Sequence, residues 1–150
     1  MDTSIATIAR AAHLLGVVSQ LYTTRMNTLL QAAGLNLSQF ALLNHLAQSP
    51  KNTHSITELT EAMEMHQPGV TKLVQKLHQE GFLEVQVSKN DARKRKISIT
   101  EAGREHIIAV GQELFPDVQQ WFADWSGEEV QELNRYLNQL AVWLDSHRLS

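Results

Sequence analysis

The sequence predicts one mainly helical domain that carries a single small β-hairpin. Apolar residues recur at helical spacing through most of its 150 residues, which predicts helices. Two short segments, 82–87 and 96–100, instead alternate apolar and polar residues, which predicts strands, and turn residues separate them. Hydrophobic residues make up 43% of the chain and charged residues 19%, a balance typical of a globular domain with a buried core.

A long helix is predicted first, from Thr3 to about Ala32, with Gly34 as its stop, because apolar residues fall at positions 5, 8, 12, 15, 18, 22, 26 and 29. Further apolar residues at 14, 17, 21 and 30 widen the stripe, and such a helix needs more than one partner surface. We expect no stretch long enough to span a bilayer. The N-terminus also lacks the basic region of a signal peptide, which favours a soluble, cytoplasmic protein.

A second helix is predicted over residues 39–48, capped by Ser38 and ended by Ser49-Pro50. Its inward residues are predicted to be Phe40, Leu42, Leu43 and Leu46. Residues 51–55 are polar and leave room for at most a short strand. This segment therefore connects the second helix to the next pair.

Two short helices joined by a tight break follow. Ser55-Ile-Thr-Glu58 has the pattern of a capping box and opens a helix that ends near Met63. Pro68 suits the first turn of the next helix, which runs to about Gln79 and ends at Gly81. Its inward residues are predicted to be Val70, Leu73, Val74 and Leu77, and its free face carries Thr71, Lys72, Gln75, Lys76 and Gln79. This is the layout of a helix-turn-helix with a basic, amide-rich second helix.

The two predicted strands form a hairpin directly after this helix, with Asn90-Asp91 supplying the turn. Residues 89–96 read KNDARKRK and hold five of the chain's thirteen lysines and arginines. A helix-turn-helix followed by such a hairpin predicts a winged helix. A solvated hairpin tip would also carry charge, but its place beside a basic helix favours contact with DNA.

The remaining chain is predicted to form two more helices. Thr100 caps the first, through about Leu114, and Pro116 is expected to break or kink it. Ser126-Gly-Glu-Glu129 is a second capping box, and it opens a final helix whose apolar residues are Val130, Leu133, Leu137, Leu140, Ala141 and Leu144. Leucines at this spacing belong either to an intramolecular core or to an interface. The apolar excess at both ends favours a homodimer, with Trp121, Trp125 and Trp143 at or near its interface.

Charge is distributed unevenly along the chain. Residues 66–96 carry a net charge of +4 and the remainder carries −7, for an overall charge of −3. A polyanion is therefore attracted to one region although the whole protein is acidic.

Several kinds of chemistry are excluded or unsupported. The absence of cysteine excludes disulfides, thiolate metal sites and cysteine nucleophiles. The seven histidines are scattered without a metal-binding motif, so neither a metal nor a cofactor is predicted. The sequence also lacks a phosphate-binding glycine loop and a serine elbow, and we expect no enzyme.

The chain resembles the MarR family (multiple antibiotic resistance regulators) of bacterial winged-helix transcription factors. The resemblance covers nearly the whole length and rests on Val70-Thr71-Lys72-Leu73-Val74, Leu77, Gly81-Phe82-Leu83, Asp91-Ala92-Arg93 and Ile97-Ser98-Ile99-Thr100-Glu101-Ala102-Gly103. It implies a homodimer with interlocked terminal helices. It also implies that the second helix of the helix-turn-helix enters the major groove and that Arg93 reaches the minor groove.

The resemblance divides the single domain 1–150 into a DNA-binding lobe at about 37–100 and dimerisation helices at about 3–33 and 101–147. Many relatives also carry an arginine that follows the recognition helix and pairs with the wing aspartate. Here Val85 occupies that position, so Asp91 is expected to orient Arg93 through another contact or not at all.

The predicted DNA contacts lie on the helix-turn-helix and the hairpin. Glutamine and lysine can read base edges, threonine and lysine serve phosphates equally well, and a guanidinium suits a narrow minor groove. The candidates are His66, Gln67, Pro68, Gly69, Thr71, Lys72, Gln75, Lys76, Asp91, Arg93, Lys94, Arg95 and Lys96.

The resemblance further implies a small, aromatic or anionic effector, for which the candidate contacts are His13, Tyr22, Arg25 and His45. Together these features predict a homodimeric, sequence-specific DNA-binding regulator, more readily a repressor of a near-palindromic operator than an activator. The alternative is a winged-helix module that binds protein without specific DNA binding.

Overall fold

The computed structural model describes residues 3–91 and 93–149, so that Ala92 of the Asp-x-Arg motif lies outside the described residues. Within them the chain forms helices and one antiparallel hairpin, which confirms the predicted fold class. The elements in order are α1 Ile5–Leu30, α2 Leu37–Gln48, α3 Ile56–Met63, α4 Gln67–Gln79, β1 Leu83–Val87, β2 Arg95–Ile99, α5 Glu101–Trp121 and α6 Gly127–Ser146.

The chain divides into two compact units, Met1–Gln112 and Glu113–Ser150, and α5 crosses the boundary. The first unit holds α1 to α4 and the hairpin, and the second holds the end of α5 and all of α6. The predicted division into a DNA-binding lobe and flanking dimerisation helices stays a prediction.

The core of the first unit joins the end of α1 to α2, α3, α4 and the hairpin. Its fully buried side chains are Leu30, Leu42, Leu43, Leu59, Val70, Leu77, Leu83 and Ile97. Full burial of such a side chain contributes roughly 1.5–3 kcal/mol. The predicted inward residues of α4 are all buried, whereas Phe40 of α2 is only half-buried.

The N-terminus of α2 differs from the prediction. Its cap is Asn36 and not Ser38: the Asn36 side chain accepts from the Gln39 backbone N–H at 2.9 Å, and the Gln39 side chain accepts from the Asn36 N–H at 3.0 Å. Asn27 of α1 also accepts from the Leu37 N–H at 2.7 Å. Because these bonds satisfy the first amides, the helix begins at Leu37, two residues earlier than predicted.

The predicted capping box of α3 forms only in part. Ser55 Oγ accepts from the Glu58 backbone N–H at 3.1 Å, as expected. The Glu58 carboxylate accepts its main hydrogen bond from Lys51 Nζ at 2.6 Å, and the return interaction with the Ser55 backbone lowers its pKa by less than Lys51 does. A charge-assisted bond to an ammonium is stronger than one to a neutral amide, and this bond holds the pKa of Glu58 below its ordinary value.

The hairpin pairs β1 with β2 in an antiparallel register that runs from Leu83 opposite Ile99 to Val87 opposite Arg95. A third segment joins it through His54, whose backbone exchanges two hydrogen bonds with Ile97 at 2.9 and 2.8 Å. The short strand anticipated in residues 51–55 is thus a single bridge at His54. We call β1, β2 and the connecting residues 88–94 the wing.

The C-terminal helices confirm one prediction and correct another. Ser126 and Glu129 form the predicted capping box of α6. The break expected at Pro116 is wrong, because α5 continues through it to Trp121. Proline removes one amide donor from the helical ladder, and the hydrogen bonds on either side of that position are enough to continue the helix.

The first helix also corrects the expectation that no stretch could span a bilayer. By length and composition alone, α1 with its following turn is long and apolar enough to do so, and an 18-residue window within it has a mean hydropathy of 1.2. Its apolar residues lie on more than one face, which raises the average although Arg10 and Arg25 interrupt it. A soluble helix that packs on another chain has the same composition.

Candidate nucleic-acid interface

The outer face of α4 presents polar and cationic side chains to solvent. Lys72, Gln75 and Lys76 are exposed, whereas Thr71 is half-buried. The opposite stripe of α4 is buried in the core, so this face is turned outward by the 3.6-residue period of the helix. Gln79 is exposed as well, so the structure brings four of the five predicted face residues to the surface.

The start of α4 exposes three more predicted contacts. His66 is the N-cap residue, and its carbonyl accepts from the amides of Gly69 and Val70 at 3.0 and 3.2 Å, while its side chain makes no capping bond. Gln67 and Pro68 follow in the first turn and are exposed. Gly69 is half-buried, and a Cβ there would lie 3.2 Å from Cε of Met65.

The tip of the wing is organised by Asp91. Its carboxylate accepts from the Arg93 backbone N–H at 3.0 Å, and its carbonyl accepts from the Lys94 N–H at 3.0 Å. Ser88 closes the turn by donating its N–H to the Lys94 carbonyl at 2.9 Å. Asp91 thus contacts the backbone of the turn at Arg93, while its predicted role in orienting the Arg93 side chain stays a prediction.

A cleft of about 440 Å³ lies between the wing and the helix-turn-helix, and we call it the wing cleft. It brings Gln67 of α4 next to the four consecutive cations Arg93, Lys94, Arg95 and Lys96. All four cations are exposed. Residues distant in sequence therefore share one concave, cationic surface.

The wing cleft also includes residues that sequence reasoning missed. Lys51, Thr53 and Thr57 line it together with the capped start of α3. Their only signal in the sequence was the polarity of the segment that leads into the Ser55 cap. Glu58, the single carboxylate among the described residues of the lining, is bonded to Lys51, so its negative charge is offset locally.

A second cleft, of about 580 Å³, is formed by α1, α2, α3 and the residues after α2, and we call it the helix cleft. Tyr22 and His45, two of the four candidate effector contacts, line it, whereas His13 and Arg25 do not. Phe40, Pro50 and Met63 supply apolar walls, and the hydrogen-bonding groups come from Asn44, Gln48 and Ser49. No lysine or arginine belongs to its described lining.

Metal coordination finds no support among residues 3–91 and 93–149. No group of three or more histidine, cysteine, aspartate or glutamate side chains there is arranged to hold an ion.

Comparison with known proteins agrees with this geometry. Residues 33–94, which include the helix-turn-helix and most of the wing, match the model of the MarR family. The HTH-type transcriptional repressor IacR of Pseudomonas putida is 29% identical over 119 residues, which cover 77% of this chain and 68% of that protein.

Solved structures share the fold over nearly the whole chain. A MarR family protein from Bacillus stearothermophilus superposes with a TM-score of 0.79 at 20% identity, covering 95% of this chain and 99% of that one. CouR from Rhodococcus jostii RHA1, solved with p-coumaroyl-CoA bound, superposes with a TM-score of 0.73 at 18% identity, covering 87% of this chain and 91% of that one.

Proposed function

We propose that the chain is a MarR-family transcriptional regulator, and that it acts in the cytoplasm as a homodimeric repressor that a small ligand releases from a near-palindromic operator. The observation that carries this proposal is the wing cleft, where Gln67 at the start of α4 lies beside the cationic run 93–96. A helix in the major groove and a hairpin on the adjacent backbone both need cations on one surface.

The contacts divide by chemistry. Gln67, Lys72, Gln75 and Lys76 project from the start and outer face of α4, where amide and ammonium groups read base edges or bind phosphates. Arg93 stands at the wing tip on a backbone held by Asp91, which suits insertion of a guanidinium into the minor groove. Lys94, Arg95 and Lys96 would then follow the phosphates.

Apolar surface supports the homodimer. On α1, Ile5, Ile8, Val18 and Leu21 are exposed, at 86% for Ile5 and 66% for Leu21. On α6 none of the described residues is buried, and Leu137, Leu140, Trp143 and Leu144 are exposed. A run of exposed apolar residues along a helix is typical of a protein interface. A second copy of the chain would cover both helices.

Twofold symmetry then determines the form of the operator. Two equivalent recognition helices meet two equivalent half-sites, about one helical turn or ~10 bp apart from centre to centre. The proposed operator is therefore a near-palindrome with that spacing.

The helix cleft is the proposed effector site. Its aromatic walls at Tyr22 and Phe40 and its polar groups at Asn44, His45 and Ser49 suit a small aromatic molecule with hydrogen-bonding substituents. A ligand that binds more tightly to a dimer with wrongly spaced wings would release the operator.

The test is a fluorescence titration of the protein against duplex DNA from the region flanking its own gene, over a salt series, with random duplex as reference. The logarithm of the association constant should fall linearly with the logarithm of the salt concentration, with a slope of about −0.9 for each phosphate that the protein neutralises. Arg93→Ala should weaken specific binding by ~1–3 kcal/mol, the scale of one good groove contact.

Arg148→Ala is the matched control, because it removes the same charge from the end of the chain, beyond the winged helix. Equal affinity for flanking and random DNA would contradict sequence-specific regulation and favour a protein-interaction module.

A further inference from the structure

His54 lies between the helix cleft and the wing cleft. Its side chain lines the wing cleft, and only 6% of the residue is exposed. Its Nε2 lies 2.9 Å from Oγ of Ser49, and Ser49 lines the helix cleft. One partly buried hydrogen bond thus connects the walls of both clefts.

The backbone of His54 holds the wing directly. It exchanges hydrogen bonds of 2.9 and 2.8 Å with Ile97, the fully buried residue at the centre of β2. Any displacement of His54 must therefore move or break the bridge to the strand that carries Arg95 and Lys96. The wing has no other such bridge within residues 3–91 and 93–149.

The protonation state of His54 follows from its partners. Its Nδ1 is buried and makes no hydrogen bond to any described residue. A proton on Nδ1 would be an unpaired buried donor, so the neutral ring carries its proton on Nε2 and donates to Ser49 Oγ. Ser49 Oγ also accepts from the Lys51 backbone N–H at 3.2 Å, which uses its second lone pair.

We propose that His54 is a positioning residue: through Ser49 and Ile97 it holds β2 of the wing from the wall of the helix cleft. The DNA-contacting hairpin thereby depends on the state of a side chain that an effector can touch. Only the consequence for DNA binding rests on the proposed function. The attachment of β2 to His54 and Ser49, which we call the anchorage, can be measured without DNA.

The anchorage should weaken in acid. Burial lowers the pKa of His54, with His45 on α2 and Lys51 acting in the same direction and Glu58 on α3 opposing them. Arg95 and Lys96 of the wing line the same cleft as His54. Since the neutral ring is the buried form, anchorage is complete above the unperturbed pKa of about 6.5 and is lost as the pH falls through the lowered value.

Limited trypsin digestion tests the anchorage at one bond. The peptide bond Lys96–Ile97 lies at the His54 bridge, and Ile97 is fully buried, so cleavage there requires release of β2. The cleavage rate, followed by mass spectrometry, reports the released population. Ser49→Ala and His54→Leu should each raise it about three- to tenfold at pH 7.5, the effect of losing this one partly buried hydrogen bond.

His54→Gln tests whether the hydrogen bond to Ser49 and the titration of the imidazole hold the wing, or only the packing of a side chain at this position. The glutamine amide can donate to Ser49 but does not titrate, so cleavage at pH 7.5 should match the wild type. Relative to this variant, wild-type cleavage should rise up to about tenfold between pH 7.5 and 5.5. His147→Gln, at the end of α6, is the matched control and should keep the wild-type profile.

Two results would overturn the proposal: unchanged cleavage in Ser49→Ala, or the same acid response in His54→Gln as in the wild type. Affinity for duplex DNA should be measured in parallel, and the variants that are cleaved faster should bind DNA more weakly. If the cleavage rates follow the expected order although neither the wild type nor any variant prefers the flanking DNA to random DNA, the proposed function fails and the anchorage stands.

Discussion

A Cβ on Gly103, in the first turn of α5, would overlap the carbonyl oxygen of Phe82, the residue that precedes β1. It would also lie 2.8 Å from Cγ1 of Ile99. Thr100 completes the junction: its hydroxyl donates to the Gly81 carbonyl at 2.7 Å and accepts from the Gly103 amide at 3.0 Å. The Thr-x-x-Gly motif therefore joins the base of the wing to the end of α4 and the start of α5.

Gly103→Ala should destabilise the protein by about 1–3 kcal/mol, the cost of overpacking against atoms that cannot move aside. The obstacle is backbone, so the strain outweighs the gain of up to about 1 kcal/mol that alanine brings to a helix. Chemical denaturation measures the difference. Gly111→Ala in the same helix is the control: a Cβ there meets nothing within 4 Å, and its stability should be unchanged or higher.

The cap of α2 gives a second prediction. Asn36→Ala should cost about 1 kcal/mol in unfolding free energy, because the Gln39 amide loses its acceptor. Ser38→Ala should change stability by less than about 0.5 kcal/mol, since Ser38 is inside the helix and caps nothing. Equal losses in both variants, measured by urea denaturation, would argue against the Asn36 cap.

These sites show what could be predicted from the sequence. The buried stripe of α4 was predictable because a helical period alone determines which residues face the core. The cap at Asn36 was not, because it depends on contacts with Gln39 and with Asn27 of another helix. The clefts were not predictable either, because they bring together Lys51 with Arg93 and Tyr22 with Met63, residues that only the tertiary fold places side by side.

The wing turn gives a third prediction, which separates hydrogen bonding from charge at Asp91. The Asp91 carboxylate accepts from the Arg93 backbone N–H, a bond that an asparagine carbonyl can also accept. Asp91→Asn should therefore keep or slightly raise DNA affinity, whereas Asp91→Ala should lower it by about 0.5–1.5 kcal/mol. Fluorescence titration compares the two. If Asp91→Asn binds as weakly as Asp91→Ala, the charge and not the turn is what matters.

The last prediction concerns the exposed apolar face of α6. Leu140 is 39% exposed in the single chain, between Leu137 and Leu144 at helical spacing. A carboxylate there would be desolvated in the proposed homodimer without a partner, a cost of several kcal/mol, but would be solvated in a monomer. Sedimentation velocity should therefore show a dimer for the wild type and a monomer for Leu140→Asp. Asn138→Asp adds the same charge to an exposed polar position two residues away and should leave the dimer intact. A dimeric Leu140→Asp variant would exclude this face of α6 from the interface.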